Sequence, residues 1–236
     1  MKKTILISGA SKNLGLFLGN YFKNKFKIVN LSRNILSKNK FDNYKCDLAD
    51  EKITQEVLRK VKKKYSKLEL IVSCAGNSKK DFTKIEKKKN FEKSFNDNLY
   101  SFVNLVSSYL EVYNCKSTKI VAISSIAGNK PTRAPITYSV AKSALIFYSK
   151  FKAKELAKYN ISLNIISPGN ILQSGNNWHK KIKTKKKQTL DYIKKNVPMN
   201  KFCTPEDIAE AIKLILNSKN NTMTGSNIVI DGGEIL

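Results

Sequence analysis

Short apolar runs alternate with longer amphipathic stretches along the chain. Thr4-Ile-Leu-Ile-Ser8 is rich in β-branched residues and too short for a helix, whereas the stretch from Leu14 repeats apolar residues at helical spacing. This alternation predicts strands at residues 4–8, 27–31, 43–46, 68–73, 118–124, 161–167 and 227–230. It predicts helices at residues 14–25, 51–64, 91–113, 137–158 and 205–216.

Strands that alternate with helices predict an α/β fold. Because crossovers between parallel strands are right-handed, the segments wind into a single doubly wound parallel sheet, a Rossmann fold with about seven strands and helices on both faces. The last helix has a clear start, with Thr204 as N-cap and Pro205 in the first turn. The sequence contains no internal repeat or linker, so we expect one domain over residues 1–236.

The chain is strongly basic, with a net charge of +26 over 236 residues. Such a charge would ordinarily indicate a nucleic-acid partner. The lysines are spread over every segment, however, and no nucleic-acid-binding motif interrupts the alternation of strands and helices. We therefore interpret them as solvated faces and expect no nucleic-acid partner, although the charge should attract anionic ligands such as a phosphorylated cofactor or an acidic carrier protein.

Several features favour a cytoplasmic location. No apolar stretch is long enough to span a membrane, and Met1 is followed by the first strand without a signal-peptide pattern. The four cysteines are widely scattered, at Cys46, Cys74, Cys115 and Cys203. They form no C-x-x-C pair, and His179 is the single histidine. We expect reduced thiols, no metal site and no membrane partner.

A glycine-containing turn, Gly9-Ala-Ser-Lys-Asn-Leu-Gly15, separates the first strand from the first helix. Strand, turn and helix in this order form the dinucleotide-binding arrangement, in which free N–H groups at the helix start hold a pyrophosphate. Asn13 stands at the middle of the turn, and asparagine tolerates a left-handed backbone. Alone, such a turn is a weak signal.

A second group of residues carries acid–base chemistry. Tyr138 and Lys142 are four residues apart in a predicted helix, which places both on one face. A cation there favours the phenolate of a group whose pKa is ordinarily near 10. Ser125 follows the predicted strand 118–124, so its hydroxyl lies at the carboxyl edge of the sheet. A hydroxyl beside an activated phenol can polarise a carbonyl while a proton is passed to it.

Together these motifs resemble the classical short-chain dehydrogenase/reductase family, in particular its 3-oxoacyl-[acyl-carrier-protein] reductases, over nearly the whole chain. Further matches are Ser73-Cys-Ala-Gly76 after the fourth strand, and Gly225 with Asp231-Gly-Gly233 near the C-terminus. The resemblance implies a catalytic tetrad of Asn98, Ser125, Tyr138 and Lys142. It implies cofactor contacts by Gly9, Ser11, Lys12, Asn13, Leu14, Gly15, Arg33, Asp47, Leu48, Ala75, Gly76, Tyr138, Lys142, Pro168, Gly169 and Ile171.

The resemblance also implies direct hydride transfer between a nicotinamide cofactor and a carbonyl. In this mechanism Tyr138 protonates the carbonyl oxygen and Ser125 holds it. Lys142 binds the nicotinamide ribose and lowers the pKa of Tyr138, and Asn98 positions a water for proton relay. Ser124 is a neighbouring hydroxyl, but Ser125 has the family's offset of thirteen residues from Tyr138.

The end of the second predicted strand bears on cofactor choice. NAD-selective sites place an acidic residue there, whereas this chain has Ser32 followed by Arg33. An arginine fork suits a 2′-phosphate, and Lys12 in the glycine turn supplies a second cation. In this family the pair favours NADP(H) over NAD(H). The alternative is that both are ordinary surface cations.

The substrate is less well defined by the sequence. The resemblance implies a substrate lid at about residues 170–200, which carries Trp178, the displaced hydroxyl of Ser174 and many lysines. The lysines are Lys180, Lys181, Lys183, Lys185, Lys186 and Lys187. A carbonyl reductase of the 3-oxoacyl type, a dehydrogenase of a sugar or nucleotide-activated sugar, and a non-catalytic nucleotide-sensing or RNA-binding protein all remain open.

The helices predicted at 91–113 and 137–158 are unusually apolar. A helix that packs on one side needs a single apolar stripe. These two helices carry more apolar surface than one face of the sheet can cover. An apolar face left over on the surface marks a partner surface. We expect a homotetramer or homodimer that pairs these helices, as related family members commonly do.

Overall fold

A parallel β-sheet forms the centre of the molecule. The structure is a computed structural model that describes residues 2–35, 40–78, 86–114, 117–218 and 222–236. The strands are β1 (Thr4–Ser8), β2 (Lys27–Ser32), β3 (Asp42–Lys45), β4 (Leu70–Ser73), β5 (Thr118–Ile123), β6 (Ile161–Pro168) and β7 (Asn227–Ile230). They pair in the order β3-β2-β1-β4-β5-β6-β7, with every pairing parallel. The predicted doubly wound α/β fold is confirmed.

Helices cover both faces of this sheet. They are α1 (Asn13–Phe22), α2 (Glu51–Lys64), α3 (Lys88–Phe95), α4 (Ser101–Tyr113), α5 (Ile136–Ala157), α6 (Asn177–Thr184), α7 (Lys186–Asn196) and α8 (Pro205–Asn217). Helix α8 begins with the predicted cap, since Thr204 and Asp207 form a reciprocal capping box. Within the described ranges, no helix is both long and apolar enough to cross a membrane.

The predicted helix at 91–113 is wrong in one respect, because it is not continuous. A π-helical turn at Asn96–Tyr100 separates α3 from α4. Such turns accommodate one extra residue per turn and are frequent at functional sites. The other predicted elements differ from the observed ones by at most three residues at either end.

Two apolar layers hold the helices to the sheet. Successive strand residues point to opposite faces, so Leu6 faces one layer while Ile5 faces the other. The first layer includes Leu58 of α2 and Leu105 of α4, and the second includes Ile212 of α8. Because helices cover both faces, the strands are continuous apolar runs. The carboxyl edge of the sheet therefore remains as the place where a ligand can bind.

Candidate active site

The residues predicted for the site converge at the carboxyl edge of the sheet. The glycine turn follows β1, Gly76 lies beyond β4, Ser125 lies just beyond β5, and Pro168 ends β6. The sheet order changes direction between β1 and β4, which opens a crevice at this edge. The topology therefore brings together segments that are far apart in the sequence.

The glycine turn has the backbone that its sequence predicts. Gly9 has φ +75° and Asn13 has φ +48°, so the left-handed backbone expected at Asn13 is observed. A side chain at Gly15 would place its Cβ 2.4 Å from the carbonyl oxygen of Gly9. Helix α1 starts at this turn without an acidic residue in its first turn or a side-chain cap. Its N–H groups thus remain directed at the crevice.

Asn30 of β2 holds the glycine turn in place through its side-chain amide, and it is not among the predicted site residues. Its buried Oδ1 accepts from the backbone N–H of Ala10 (2.9 Å) and from the hydroxyl of Ser32 (2.7 Å). Its Nδ2 donates to Ser11 Oγ (3.1 Å) and Asn43 Oδ1 (2.8 Å). These contacts use the full capacity of the amide. The available signal was a lone polar residue inside the apolar run of β2.

The ends of β1 and β4 are joined by hydroxyl groups. Ser8 Oγ lies 3.4 Å from Ser73 Oγ and accepts from the backbone N–H of Ala75 (3.2 Å). This contact fixes the start of the Ala75-Gly76 segment against the glycine turn. Cys74 lies between Ser73 and Ala75 in the chain. Burial raises the pKa of its thiol to about 12, although the charge of Lys142 acts to lower it. The thiol therefore stays protonated at neutral pH.

The two serines after β5 have different partners. The buried hydroxyl of Ser124 donates to the backbone carbonyl of Lys142 (3.1 Å) and so ties α5 to the sheet edge. Ser125 caps the short turn that follows, since its Oγ accepts from the N–H of Ala127 (3.2 Å). Ser125 also interacts with the phenol of Tyr138, whose pKa it lowers in part. Only Ser125 therefore faces the phenol.

Tyr138 and Lys142 lie on one face of α5 as predicted, but their electrostatics differ from the expectation. Burial raises the pKa of Tyr138, and the hydrogen bond with Ser125 lowers it in part. The Lys142 Nζ donates to the Ile123 carbonyl (2.8 Å) and lies 5.8 Å from the centre of the Tyr138 ring. Burial is the largest effect on the pKa of Tyr138 and opposes the lowering expected from Lys142, which stays a prediction.

Lys142 is itself a perturbed group. Its side chain is 4% exposed, and burial lowers its pKa to about 8. Desolvation disfavours the charged form of a buried ammonium. Among the described residues no carboxylate forms an ion pair with it. Lys142 can thus exchange a proton close to neutral pH.

Asn98 lies in the π-helical turn, where backbone groups occupy its amide. Oδ1 accepts from the N–H of Asn77 (3.0 Å), and Nδ2 donates to the carbonyls of Asn77 (3.0 Å) and Ser94 (2.9 Å). A Cβ at Gly76 would lie 2.9 Å from Asn98 Oδ1 and 3.4 Å from Lys142 Nζ. Asn98 therefore braces the loop after β4 beside Lys142, and only glycine fits between them.

At the other end of the crevice, Arg33 pairs with Asp97. The guanidinium is largely exposed and donates to Asp97 Oδ1 (3.0 Å), whose carboxylate is mostly buried. Lys12 is exposed at the N-cap of α1. Asp47 is exposed after β3, where its carboxylate accepts from the N–H of Ala49 (3.2 Å), and Leu48 is buried. Sequence reasoning did not anticipate Asp97, whose partner is distant in the chain.

The segment after β6 is packed closely against the C-terminal turn. The N–H of Gly169 donates to the Ile230 carbonyl (2.8 Å), and a Cβ at Gly169 would meet Asp231 at 2.8 Å. The carbonyl of Ile171 accepts from Asn176 Nδ2 (2.7 Å). Packing against Asp231 therefore requires glycine at position 169.

Three of the four cysteines can be described. Cys46, Cys74 and Cys203 are free thiols, and Cys115 lies outside the described residues. Burial raises the pKa of Cys46 to about 11 and that of Cys203 to about 12. These thiols remain protonated at neutral pH.

Comparison with known proteins identifies the family. The model described as "Enoyl-(Acyl carrier protein) reductase", a short-chain dehydrogenase model, matches residues 20–234. The chain belongs to the short-chain dehydrogenase/reductase family. It is 30% identical to the 3-oxoacyl-[acyl-carrier-protein] reductase FabG of Buchnera aphidicola subsp. Schizaphis graminum, over 98% of this chain and 97% of that protein. It is therefore an oxidoreductase of this family.

Two solved structures share the whole fold. ElxO with NADP bound is 30% identical, with a TM-score of 0.88 over 99% of both chains. L-sorbose reductase from Gluconobacter frateurii, complexed with NADPH and L-sorbose, is 23% identical with a TM-score of 0.87 over 99% of this chain and 97% of that one. The second likeness shows the fold alone.

The carboxyl edge fits the nicotinamide dinucleotide that the family uses. Glycine at positions 9 and 15 lets the backbone approach a pyrophosphate, and Gly76 keeps the surface beside Lys142 free of side chains. The turn is fixed by Asn30 rather than by the ligand, so it is already in place. The family's NAD(P)-dependent chemistry is thus compatible with the residues at this edge.

Proposed function

We propose that this protein is an NADP(H)-dependent reductase of the 3-oxoacyl type, which interconverts a carbonyl and a secondary alcohol. One observation carries the proposal: Ser125, Tyr138 and Lys142 lie together at the sheet edge, with Lys142 Nζ 5.8 Å from the centre of the Tyr138 ring and with Ser125 lowering the pKa of the phenol in part. We further propose that residues 1–236 form one domain, that residues 170–200 form its substrate lid, and that it works in the cytoplasm with reduced thiols.

A bound nicotinamide cofactor would supply or accept the hydride in this chemistry. The glycine turn, Ala75, Gly76 and the Pro168–Ile171 segment would hold the dinucleotide, with Asp47 and Leu48 at its adenine end. Lys142 would bind the nicotinamide ribose. These assignments are supported by the position of each segment at the carboxyl ends of the strands.

Proton transfer is assigned to Tyr138. A phenol is protonated at neutral pH at its ordinary pKa, and burial raises the pKa of Tyr138 further, which suits a donor to the oxygen of a carbonyl undergoing reduction. Ser125 would hold that oxygen. Lys142, with a pKa of about 8, can return a proton towards Tyr138. Because the amide of Asn98 is occupied by backbone groups, we assign Asn98 to positioning the Gly76 loop rather than to binding water through its side chain.

A preference for NADP(H) rests on the end of β2. Ser32 lies there in place of the acid that holds two ribose hydroxyls, and Arg33 offers a largely exposed guanidinium. Asp97 accepts from one N–H of that guanidinium, and no other hydrogen bond of Arg33 is formed with the described residues. Two similar structures, ElxO with NADP and an ElxO variant with NADPH, support this choice.

Arg33→Ala is expected to weaken NADPH binding far more than NADH binding. One charge-assisted contact to a 2′-phosphate contributes about 1.5–3 kcal/mol, which is roughly a 10- to 150-fold change in the dissociation constant. Calorimetric titration with each cofactor measures the difference. Equal losses for the two cofactors would mean that Arg33 is an ordinary surface cation.

The unpaired Asp97 in that variant needs its own control. Removing Arg33 leaves a carboxylate that repels a phosphate, so part of the loss could come from Asp97. The double variant Arg33→Ala/Asp97→Asn removes this repulsion. If Arg33 binds the 2′-phosphate directly, the double variant still discriminates against NADPH relative to the wild-type protein.

The substrate class is tested by NADPH oxidation with two sets of carbonyl compounds. We expect turnover with acetoacetyl thioesters, as the likeness to FabG of Buchnera supports. Keto-sugars and nucleotide-activated keto-sugars form the second set, and faster turnover there would replace the 3-oxoacyl proposal with the sugar one. Nucleotide binding without turnover of either set would favour a nucleotide-sensing role.

We also propose that the protein is a homotetramer or homodimer. Phe147 and Phe151 on α5 are 65% and 61% exposed, and their ring centres are 4.9 Å apart. A pair of exposed aromatic rings one helical turn apart is typical of an interface core. Since Tyr138 and Lys142 lie on the same helix, association through α5 would also steady the site.

The double variant Phe147→Ser/Phe151→Ser is expected to dissociate the oligomer, because it removes the apolar area that pairs two copies. Light scattering at micromolar concentration should then give no more than half the mass of the wild-type assembly. Ile53→Ser, on the exposed side of α2, is the matched control and should leave the mass unchanged. A wild-type protein that is monomeric and fully active would reject the proposal that Phe147 and Phe151 form a subunit interface.

A further inference from the structure

Glu234, near the C-terminus, is a half-buried carboxylate surrounded by neutral donors. Its Oε2 accepts from the backbone N–H of Asn170 (3.3 Å), and its Oε1 accepts from Asn170 Nδ2 and from the hydroxyl of Tyr192 (3.2 Å). Within the described ranges no cation forms an ion pair with it. Burying a carboxylate is costly unless its acceptors are satisfied, and here three donors satisfy them.

Asn170 extends this contact into the segment 170–200, called the lid segment below. Its Oδ1 accepts from the indole N–H of Trp178 on α6 (2.9 Å). The side chains of Trp178, Tyr192 and Phe202 pack together, with the Trp178 ring 5.3 Å from Tyr192 and 4.7 Å from Phe202. Both lid helices are thereby connected, through one amide and one phenol, to a single carboxylate.

The C-terminal turn fixes the position of that carboxylate. Asp231 accepts from the N–H groups of Gly233 (2.8 Å) and Ile235 (3.0 Å), which closes the chain around Glu234. Gly232 and Gly233 have left-handed backbones, and side chains there would strike Val197 and Pro198 at the end of the lid segment. Glu234 is thus presented by a rigid turn rather than by a loose tail.

We propose that Glu234 is a positioning residue that, through Asn170, latches α6 and α7 of the lid segment onto the edge of the sheet. Asn170 directly follows Pro168-Gly169, so the latch also sets the segment assigned to the nicotinamide. That second part rests on the proposed function, whereas the latch itself does not.

Trp178 makes the latch directly measurable, because it is the single tryptophan of the chain. Glu234→Gln keeps the shape of the side chain but replaces an acceptor with an N–H donor, which must then face a donor of Asn170 or Tyr192. We expect the emission of Trp178 to shift to longer wavelength and its quenching by acrylamide to rise at least twofold. Trypsin should cleave at the lysines of 180–187 several times faster.

Two further variants keep the test decisive. Tyr192→Phe removes one of the three donors and should give a smaller change in the same direction, even if Glu234→Gln proves too unstable to purify. Glu56→Gln removes the same charge from an exposed position on α2 and should change neither measurement. Unchanged quenching and cleavage in folded Glu234→Gln would mean that Glu234 only anchors the C-terminus, and would overturn the latch.

The link to the cofactor has a separate readout. The dissociation constant of NADPH, measured by calorimetry, should rise at least threefold in Glu234→Gln and stay constant in Glu56→Gln. An unchanged dissociation constant would overturn the proposed effect of the latch on the cofactor segment. The latch itself would still be tested by the tryptophan measurements. If the wild-type protein fails to bind NADPH, the proposed function fails, but quenching and proteolysis still decide the latch.

Discussion

Tyr138→Phe is expected to lower turnover by about 10²- to 10⁴-fold, the range that a positioned general acid contributes. The phenol is the group that lies beside Ser125 at the sheet edge, and burial raises its pKa above the ordinary value, so it is a proton donor at neutral pH. Phenylalanine keeps the ring and removes only the proton donor. Binding of NADPH should therefore stay close to that of the wild-type protein, and the whole loss should appear in NADPH oxidation with the carbonyl substrate.

Tyr148→Phe is the matched control for this prediction. Tyr148 lies on the same helix, but its ring packs at 6.1 Å from that of Phe102 in the core between α4 and α5. Loss of its hydroxyl should leave turnover unchanged. Near wild-type turnover in Tyr138→Phe would reject the proposed proton transfer, whatever the cofactor affinity.

The fold was predictable because its signals are local and repeated. Each strand of the sheet is a short apolar run, and the apolar faces of α2 and α8 show helical spacing. The right-handed crossover rule then leaves few ways to arrange such segments. The position of the glycine turn, Ser125 and Tyr138 at one edge followed from the topology rather than from any contact visible in the sequence.

Contacts between distant segments were not predictable in the same way. Arg33 and Asp97 are separated by 64 positions, and neither carries a sign of the other. The amide of Asn30 also depends on three segments that meet only in the fold. The π-helical turn at Asn96–Tyr100 was not predicted either, because its apolar spacing still resembles that of a continuous helix.

The electrostatics of the site show the same limit. Helical spacing correctly places Lys142 near Tyr138, but it cannot show that the ammonium is bound to the Ile123 carbonyl. Nor can it show that both groups are desolvated, which raises the pKa of the phenol and lowers that of the ammonium. Spacing predicts which groups are neighbours, whereas burial decides their protonation.

Lys142→Met is expected to abolish turnover and yet to stabilise the folded protein. The shift of the Lys142 pKa from 10.5 to about 8 corresponds to a cost of about 3 kcal/mol for burying the charge. The variant avoids this cost, but it also loses the hydrogen bond to the Ile123 carbonyl, which contributes about 1 kcal/mol to stability. A net increase of about 2 kcal/mol in the free energy of unfolding at neutral pH should follow, since functional sites often hold strain that costs stability.

The pH dependence of this gain has a definite sign. Below about pH 8 the ammonium is charged in both the folded and the unfolded chain, so the wild-type protein bears the full cost. Between about 8 and 10.5 the folded chain binds fewer protons than the unfolded one, and wild-type stability rises with pH relative to the variant. Urea unfolding at about pH 7 and about pH 10 should therefore show a large difference that shrinks at the higher pH. Lys154→Met, at an exposed position of α5, should show no such trend, and a Lys142→Met protein less stable than wild type at neutral pH would reject the buried charge as the cause.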